Sequence, residues 1–342
     1  MFLFALATTV PTLLIILATQ MGGGFAWMAF GYMTVLIAFL DKLVARQVVN
    51  EDADAEFPSA VWLLKTLGIL HFILLPTCLW AVAGPSGLSV VERLLVGLSG
   101  GMVFGQIGHP VAHELIHQSS RPLRLMGRLL YTSLLVGHHA SAHLRVHHIH
   151  VASDADPNTA RLGEGFYRFA LRAGFGSFRA GFAAERKMLA RGSKPMWTHP
   201  YLIYVFGGIA CVVLSRIWFG PFGMAIYVCL CLYAQMQILL SDYVQHYGLK
   251  RKTLPNGALE PVNHAHSWNA PNWFSSAVTL NAPRHSDHHV TPTRAFPALQ
   301  LDPEGMPFLP RPLPIMAVVA LVPPLWRRMM DTKCARWAND TE

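Results

Sequence analysis

Five stretches of this chain stay apolar over a length that can cross a lipid bilayer, and nothing else in the sequence limits the fold as much. They run from about residues 2 to 20, 25 to 40, 61 to 83, 201 to 219 and 222 to 240. A bilayer core of roughly 30 Å takes about 20 helical residues, because a helix satisfies its own backbone polar groups where there is no water. A sixth stretch, about 88 to 111, carries Glu92 and Arg93 near its start but is free of charge from Leu94 to Ile107. The expected fold is therefore all-α and integral to the membrane, with six transmembrane helices. Charged residues are 13% of the chain, against about 25% in soluble domains, which agrees.

The first apolar stretch has no Lys or Arg before it, so it reads as a structural helix and not as a cleavable signal peptide. Cys78, Cys211, Cys229, Cys231 and Cys334 form no CxxC pair, which argues against a disulfide framework, a zinc site or a rubredoxin-type iron site. The turns expected near Gly22 to Gly24, Gly84 to Gly87 and Gly220 are nearly free of basic residues. Residues 113 to 200 hold twelve Lys or Arg, and residues 242 to 342 hold ten. The positive-inside rule puts these two segments in the cytoplasm, and six crossings put both termini there too, as in a bacterial-type inner-membrane protein. This topology accounts for the net charge of +8, and no basic, aromatic-interleaved soluble surface suggests nucleic acid. No repeat or low-complexity linker appears, so residues 1 to 342 read as one domain with a membrane half and a cytoplasmic half. The apolar segment Leu313 to Trp326 is short and holds Pro314, Pro323 and Pro324, so it reads as interfacial or packed on the cap, not as a seventh span.

Histidine is the other outlier, at 17 residues. His113 and His117 are spaced i,i+4, which puts them on one helix face. Alone, this pair is as readily incidental as functional; as HExxH it resembles a zinc-protease motif but lacks the soluble cleft that motif needs. His143, His147 and His148 form a second cluster, His285, His288 and His289 a third, and His246 directly follows the last apolar stretch. A packed core has no use for so many imidazoles, and burying them without partners is costly. Nine exceed what one tetrahedral zinc takes, whereas two irons of higher coordination number can use them. The shortage of carboxylates argues against the ferritin-like Glu-x-x-His pattern.

At these motifs the chain resembles the alkane 1-monooxygenase (alkane omega-hydroxylase) family, whose relatives include xylene monooxygenase and, more distantly, the membrane fatty-acid desaturases. His-Glu-Leu-Ile-His-Gln from His113 resembles the family's first box, and His143 to Arg161 the second. Arg284 to His289 closely resembles the third. His246 to Leu249 is similar to a His-Tyr-Gly-Leu element, and His266 to Asn269 to a His-Ser-Trp-Asn element. The resemblance implies nine iron ligands: His113, His117, His143, His147, His148, His246, His285, His288 and His289. The chain departs from the pattern at Ile116, Ala142, Val146 and Gln245, around the ligand positions but not at them.

The resemblance further implies O2-dependent hydroxylation of the terminal carbon of a medium-to-long alkane, a centre of two non-haem irons, and electrons from a separate rubredoxin or ferredoxin with an NAD(P)H-dependent reductase. The chain itself has no flavin, NAD or iron–sulfur motif. Ligating histidines commonly donate their second ring N–H to a carboxylate, for which Glu114, Asp156, Asp242 and Asp287 are the candidates. Glu114 and Asp287 read equally well as solvated. His71 and His199 read as locally hydrogen-bonded. His109, His138, His139, His150, His264 and His266 lie nearer the boxes and read as structural or as partners of ligands. Met33, about 12 Å from the cytoplasmic end of the second helix, falls where the family carries a bulky residue limiting substrate length; the alternative is plain packing. Competing readings are hydroxylation of an aryl methyl group, lipid desaturation, and a metal-ion transporter. A transporter calls for ionisable residues at the bilayer midplane, whereas these clusters lie past the helix ends.

Overall fold

The computed structural model describes residues 1–43 and 49–340; of the polar loop expected near residues 41 to 60, residues 44–48 lie outside the described residues. The elements used below, in chain order, are α1 (Phe2–Met21), α2 (Gly23–Leu43), α3 (Pro58–Ala83), α4 (Val90–His117), α5 (Arg121–Ser133), α6 (residues 139–150), α7 (Phe166–Arg191), α8 (Tyr201–His246), α9 (Trp273–Val278), α10 (His285–Val290), α11 (Leu313–Ala320) and α12 (Pro323–Asp340). Among the described residues there is no strand, only isolated bridges such as Thr253 with Leu259. Among the described residues five helices are long and apolar enough to cross a membrane: α1, α2, α3, α4 and α8. Their outward faces are oily, with Phe2, Val35, Trp62, Phe206 and Ile217 all well exposed. An apolar surface that is left uncovered in this way belongs against lipid.

Two details explain where these helices begin and turn. Glu92 and Arg93 sit at the very start of α4, not within its apolar run. Ser89 and Glu92 form a reciprocal capping box, Glu92 Oε1 also accepts from Gly23 N (2.6 Å), and Arg93 donates to the carbonyls of Val82 (2.7 Å), Gly84 and Leu88. The charges thus close off the ends of three helices. Gly22, at the α1–α2 break, has φ 57°, a conformation that favours glycine. A Cβ there would also meet Glu92 Oε1 at 2.6 Å.

The two helices expected over 201–219 and 222–240 are the two arms of α8, which meet at a single non-helical residue, Gly220 (φ 70°, ψ −170°), followed by Pro221. Residues 207 and 227 would lie about 30 Å apart along a straight helix. Instead a Cβ on Gly207 would touch Thr132 at 2.8 Å, while Tyr227 Oη donates to Ser133 O at 2.7 Å. The chain therefore doubles back at Gly220, where the positive φ and the missing proline N–H permit the reversal.

Three helices contain a π turn: Tyr32–Leu36 in α2, Phe104–Gly108 in α4 and His143–His147 in α6. Such turns insert one residue into a helix and gather at functional sites. The segments that follow α8 are tied back to the apolar helices. Buried Asp41, at the end of α2, accepts from the backbone N–H of Phe274 and Ser275 (3.0 and 3.1 Å) and so caps α9. Buried Arg284, just before α10, donates to Asn50 Oδ1 (2.8 Å) and to the carbonyl of Leu299.

Candidate metal centre

The nine histidines singled out by sequence collect into two groups of metal-site dimensions, His113, His117, His143, His148 and His288 in one and His147, His246, His285 and His289 in the other. Within each group, one ligand atom per residue lies within 4.8 Å of all the others. Helix α4 supplies His113 and His117, α8 supplies His246 from its last turn, and α6 and α10 each supply both groups.

The division inside α6 is not the one that α-helical spacing suggests. A plain helix would align His143 with His147, at i,i+4. The π turn adds a residue to that turn, so His143 aligns instead with His148, at i,i+5, and their Nε2 atoms are 2.9 Å apart. His147 rotates away, into the other group. In α10, His285 and His289 stay together at i,i+4, with Nε2 atoms 3.1 Å apart, while His288 crosses to the first group, its Nε2 lying 3.2 Å from that of His148. Two pairs of chain neighbours, His147–His148 and His288–His289, thus straddle the two groups.

The nitrogen geometry fits a cation in each group. His143 Nε2 lies 2.8, 3.1 and 2.9 Å from the Nε2 atoms of His113, His117 and His148. One imidazole nitrogen holds at most one proton and cannot satisfy three such neighbours. Ligands at right angles around a metal bound at 2.0–2.1 Å sit roughly 2.9 Å apart, and those of a tetrahedron roughly 3.3 Å. The observed spacings of 2.8 to 3.2 Å span this interval, as nitrogens gathered around a shared cation would. In the second group His147 Nε2 is buried without a hydrogen bond, while its Nδ1 donates to Asp156 Oδ2 at 2.8 Å. That leaves a lone pair on Nε2 facing inward.

Electrostatics agree. Burial, then the neighbouring imidazoles, hold His143, His148, His285, His288 and His289 well below the usual imidazole range, so they are neutral near pH 7 and able to coordinate. Burial alone would lower His147 and raise Asp156; their mutual attraction and hydrogen bond reverse both, raising His147 and lowering Asp156. Asp156 also accepts from Thr159 Oγ1 (2.7 Å) and Asn158 N (3.0 Å), which fixes its carboxylate.

The other three candidate carboxylates are placed differently. Asp242 is buried and takes Asn158 Nδ2 at 2.5 Å, one residue removed from the Asp156–His147 pair. Glu114 is buried 3.8 Å from His113 Nδ1, too far for a hydrogen bond. Asp287 is buried, accepts from Arg294 Nη1 (2.5 Å) and Gln300 N (2.9 Å), and so braces α10 from outside. The solvated reading of Glu114 and Asp287 therefore does not apply: both are covered by protein. His71 bonds Ser133 Oγ (2.9 Å) and His199 accepts from Tyr201 N (3.2 Å). His109 Nδ1 bonds Tyr131 Oη (2.9 Å), and the His139 ring stacks 5.4 Å from His143.

Among the described residues, one cavity reaches the clustered histidines and a larger one adjoins it. A small one, about 20 Å³, is bounded by His113, His143, His285 and His288 from both groups together with Glu114 and Asp242; it has room for about one water. An apolar cavity of about 500 Å³ shares His109, Pro110, Ser241 and Ala282 with it and extends along α2, α4 and α8 past Met33, which is buried. The π turns of α2 and α4 both border it. Sequence reasoning missed two features of its wall. One side is α11 with the residues just before it, Pro312 to Leu321, whose length signalled only that it does not span. The other is Gln106, whose Nε2 donates to Gln237 Oε1 (3.1 Å) within a mostly apolar lining; two glutamines inside predicted spans were the available signal.

Residues 89–311 match the family model described as fatty acid desaturase. The chain is 32% identical to alkane 1-monooxygenase 1 of Pseudomonas aeruginosa, over 86% of this chain and 79% of that one. It is 33% identical to alkane 1-monooxygenase 1 of Alcanivorax borkumensis, over 80% and 67%. A more distant likeness, 25% over 64% of this chain and 58% of the other, is to the xylene/toluene monooxygenase hydroxylase component of Pseudomonas putida. Scaffold and relatives together define a helical membrane oxidoreductase of the monooxygenase class. Within that class, the chain belongs to the alkane 1-monooxygenase family.

Proposed function

We propose that this chain hydroxylates the terminal carbon of medium-to-long alkanes with O2, at two irons held by the nine clustered histidines. The observation that carries the reading is that the small cavity between the two histidine groups shares His109, Pro110, Ser241 and Ala282 with an apolar cavity of about 500 Å³, a volume within the range of small-molecule sites. Its mostly apolar lining suits a hydrocarbon taken from lipid. The five-histidine group would hold one iron and the four-histidine group the other. When bound, the irons supply the oxidation, in which one oxygen atom enters a C–H bond and the second leaves as water, at a cost of two electrons. The protein's part is to orient the chain, exclude water and keep the imidazoles neutral. His109, Pro110, Ser241 and Ala282 form the neck through which the terminal methyl reaches the histidines. Met33 forms part of the wall farther along α2 and would set the length accepted.

The reading includes six crossings, with the reversal at Gly220 as the turn between the last two. It places both termini and the histidine groups on the cytoplasmic side of a bacterial-type inner membrane, residues 1 to 342 acting as one domain. Electrons would come from rubredoxin or a ferredoxin with an NAD(P)H-dependent reductase, docking on the basic cap. Raising salt should then slow electron delivery, since exposed charges are screened beyond about 8 Å at physiological ionic strength; reduction rates that ignore ionic strength would count against electrostatic docking.

The direct test is to offer cells carrying the chain and a rubredoxin system a series of alkanes, alkyl-aromatics and saturated acyl lipids, and to identify products by mass spectrometry. Primary alcohols from alkanes are expected; benzylic alcohols alone, or alkenes, would favour the aryl-methyl or desaturase alternatives. A finer test is Asp156→Asn. Losing the carboxylate that orients His147 should cost about 10- to 100-fold in metal affinity or activity. Metal retention and turnover both equal to the parent's would show that the carboxylate's charge is not needed at His147.

A further inference from the structure

Helix α7 is not among the candidate spans, yet it presents an oily face. Tyr167, Leu171, Phe175, Phe178 and Phe182 recur every three or four residues and are all exposed, Phe175 by 73%. At 3.6 residues per turn they fall within about 80° of one another, and Arg168, Arg179 and Arg186 line one flank of that stripe. These three arginines are exposed too. The helix's one acidic residue, Glu185, is buried and accepts from Ser141 Oγ (2.8 Å). A helix apolar on one side and basic beside it, packed on a membrane protein, is the pattern of an element lying in the lipid–water interface.

Its neighbours fix its level. Tyr167 Oη donates to Leu321 O (2.9 Å), just past α11, which walls the apolar cavity. Tyr201, the first residue of α8, donates from Oη to Phe178 O (2.8 Å), and the Phe182 ring stacks on His199 at 4.5 Å. Trp197, 79% exposed, sits four residues before the span, where interfacial aromatics collect. The stripe is thus continuous with the exposed apolar face of α8. At Phe178 a groove of about 320 Å³ runs down that face between Tyr204, Val205, Ile209 and Val213.

We propose that α7 lies in the plane of the membrane surface and binds anionic phospholipid, with an acyl chain in the groove at Phe178 and the phosphates met by Arg168, Arg179 and Arg186. The proposal rests on the membrane placement of the chain and not on its oxidation chemistry. Charge complementarity selects the anionic lipid: each arginine near such a surface is worth about 1 kcal/mol, or roughly fivefold.

The test uses the full chain in nanodiscs of mixed phosphatidylglycerol and phosphatidylcholine. Phe175→Trp adds an indole whose fluorescence, read against the parent, should be quenched by lipids brominated on the acyl chain. Native mass spectrometry should show the ratio of retained phosphatidylglycerol to phosphatidylcholine falling roughly fivefold for each Arg→Gln change at 168, 179 and 186. Quenching by aqueous iodide and not by brominated lipid would overturn the proposal. So would concentration-dependent cross-linking between copies through position 175, which would make the face a contact with a second chain. An unchanged lipid ratio in the triple variant would remove the headgroup site. None of these readouts involves hydroxylation or metal, so they stand or fall apart from the proposed reaction.

Discussion

His288→Ala should abolish hydroxylation and lower the metal content below the two per chain expected of the parent. His288 is the one residue that α10 contributes to the five-histidine group, with its Nε2 3.2 Å from that of His148 and its ring 4.4 Å from that of His113. It also borders the small cavity between the groups. Removing it opens the group on the side that borders the small cavity and weakens its hold on metal. The four-histidine group keeps every member, so the loss should be confined to the five-histidine group. Helicity and membrane insertion should match the parent, because α10 is held by Arg284 and Asp287 through contacts that do not involve the ring. Metal analysis of the purified protein, beside product formation in cells, reads both effects. His150→Ala is the control, since His150 lies two residues past His148 and belongs to neither group. If His288→Ala keeps two metals and full turnover, His288 is not a ligand.

Met33→Trp should move the substrate preference toward shorter chains without changing metal content. Met33 is 3% exposed, lies in the π turn of α2 and lines the apolar cavity. Its thioether is flexible and yields to a long chain, whereas an indole is large and rigid. Each methylene that no longer fits forfeits about 0.8 kcal/mol of burial, roughly fourfold in relative rate. A competition among alkanes of increasing length, scored by alcohol products, should show losses that steepen with length, and Met33→Ala should shift the distribution the other way. If both variants keep the parent's profile, the residue only packs.

The long apolar helices and the histidine clusters were legible in the sequence because each depends on local composition or spacing. An apolar run of 20 residues announces itself, and so does a histidine cluster. How the histidines divide was not legible. Reading His143 with His147 assumes an α-helix, and nothing in His-Leu-Arg-Val-His-His marks the extra residue of a π turn, which depends on packing by elements distant in the chain. Asp156 could be named as a candidate but not ranked above Glu114, Asp242 or Asp287, because rank follows from a 2.8 Å contact set by the turn at Asn158 and Thr159. The cavity wall made by Pro312 to Leu321 was hidden for a similar reason: a short apolar segment says that it is covered, not what it covers. Gly220 followed by proline did announce the reversal in α8, since positive φ and a missing N–H are local properties.

The neighbours His147–His148 and His288–His289 make the separation of the two histidine groups a property of the main chain. In each pair, consecutive Cα atoms are held about 3.8 Å apart by a rigid peptide unit, and two such rivets, on different helices, join the same two groups. Widening the cavity, exchanging Met33 or loosening a loop can change what enters the site, but none of these changes alters the length of a peptide bond. Substrate range can therefore drift through the walls while the spacing between the two groups stays fixed.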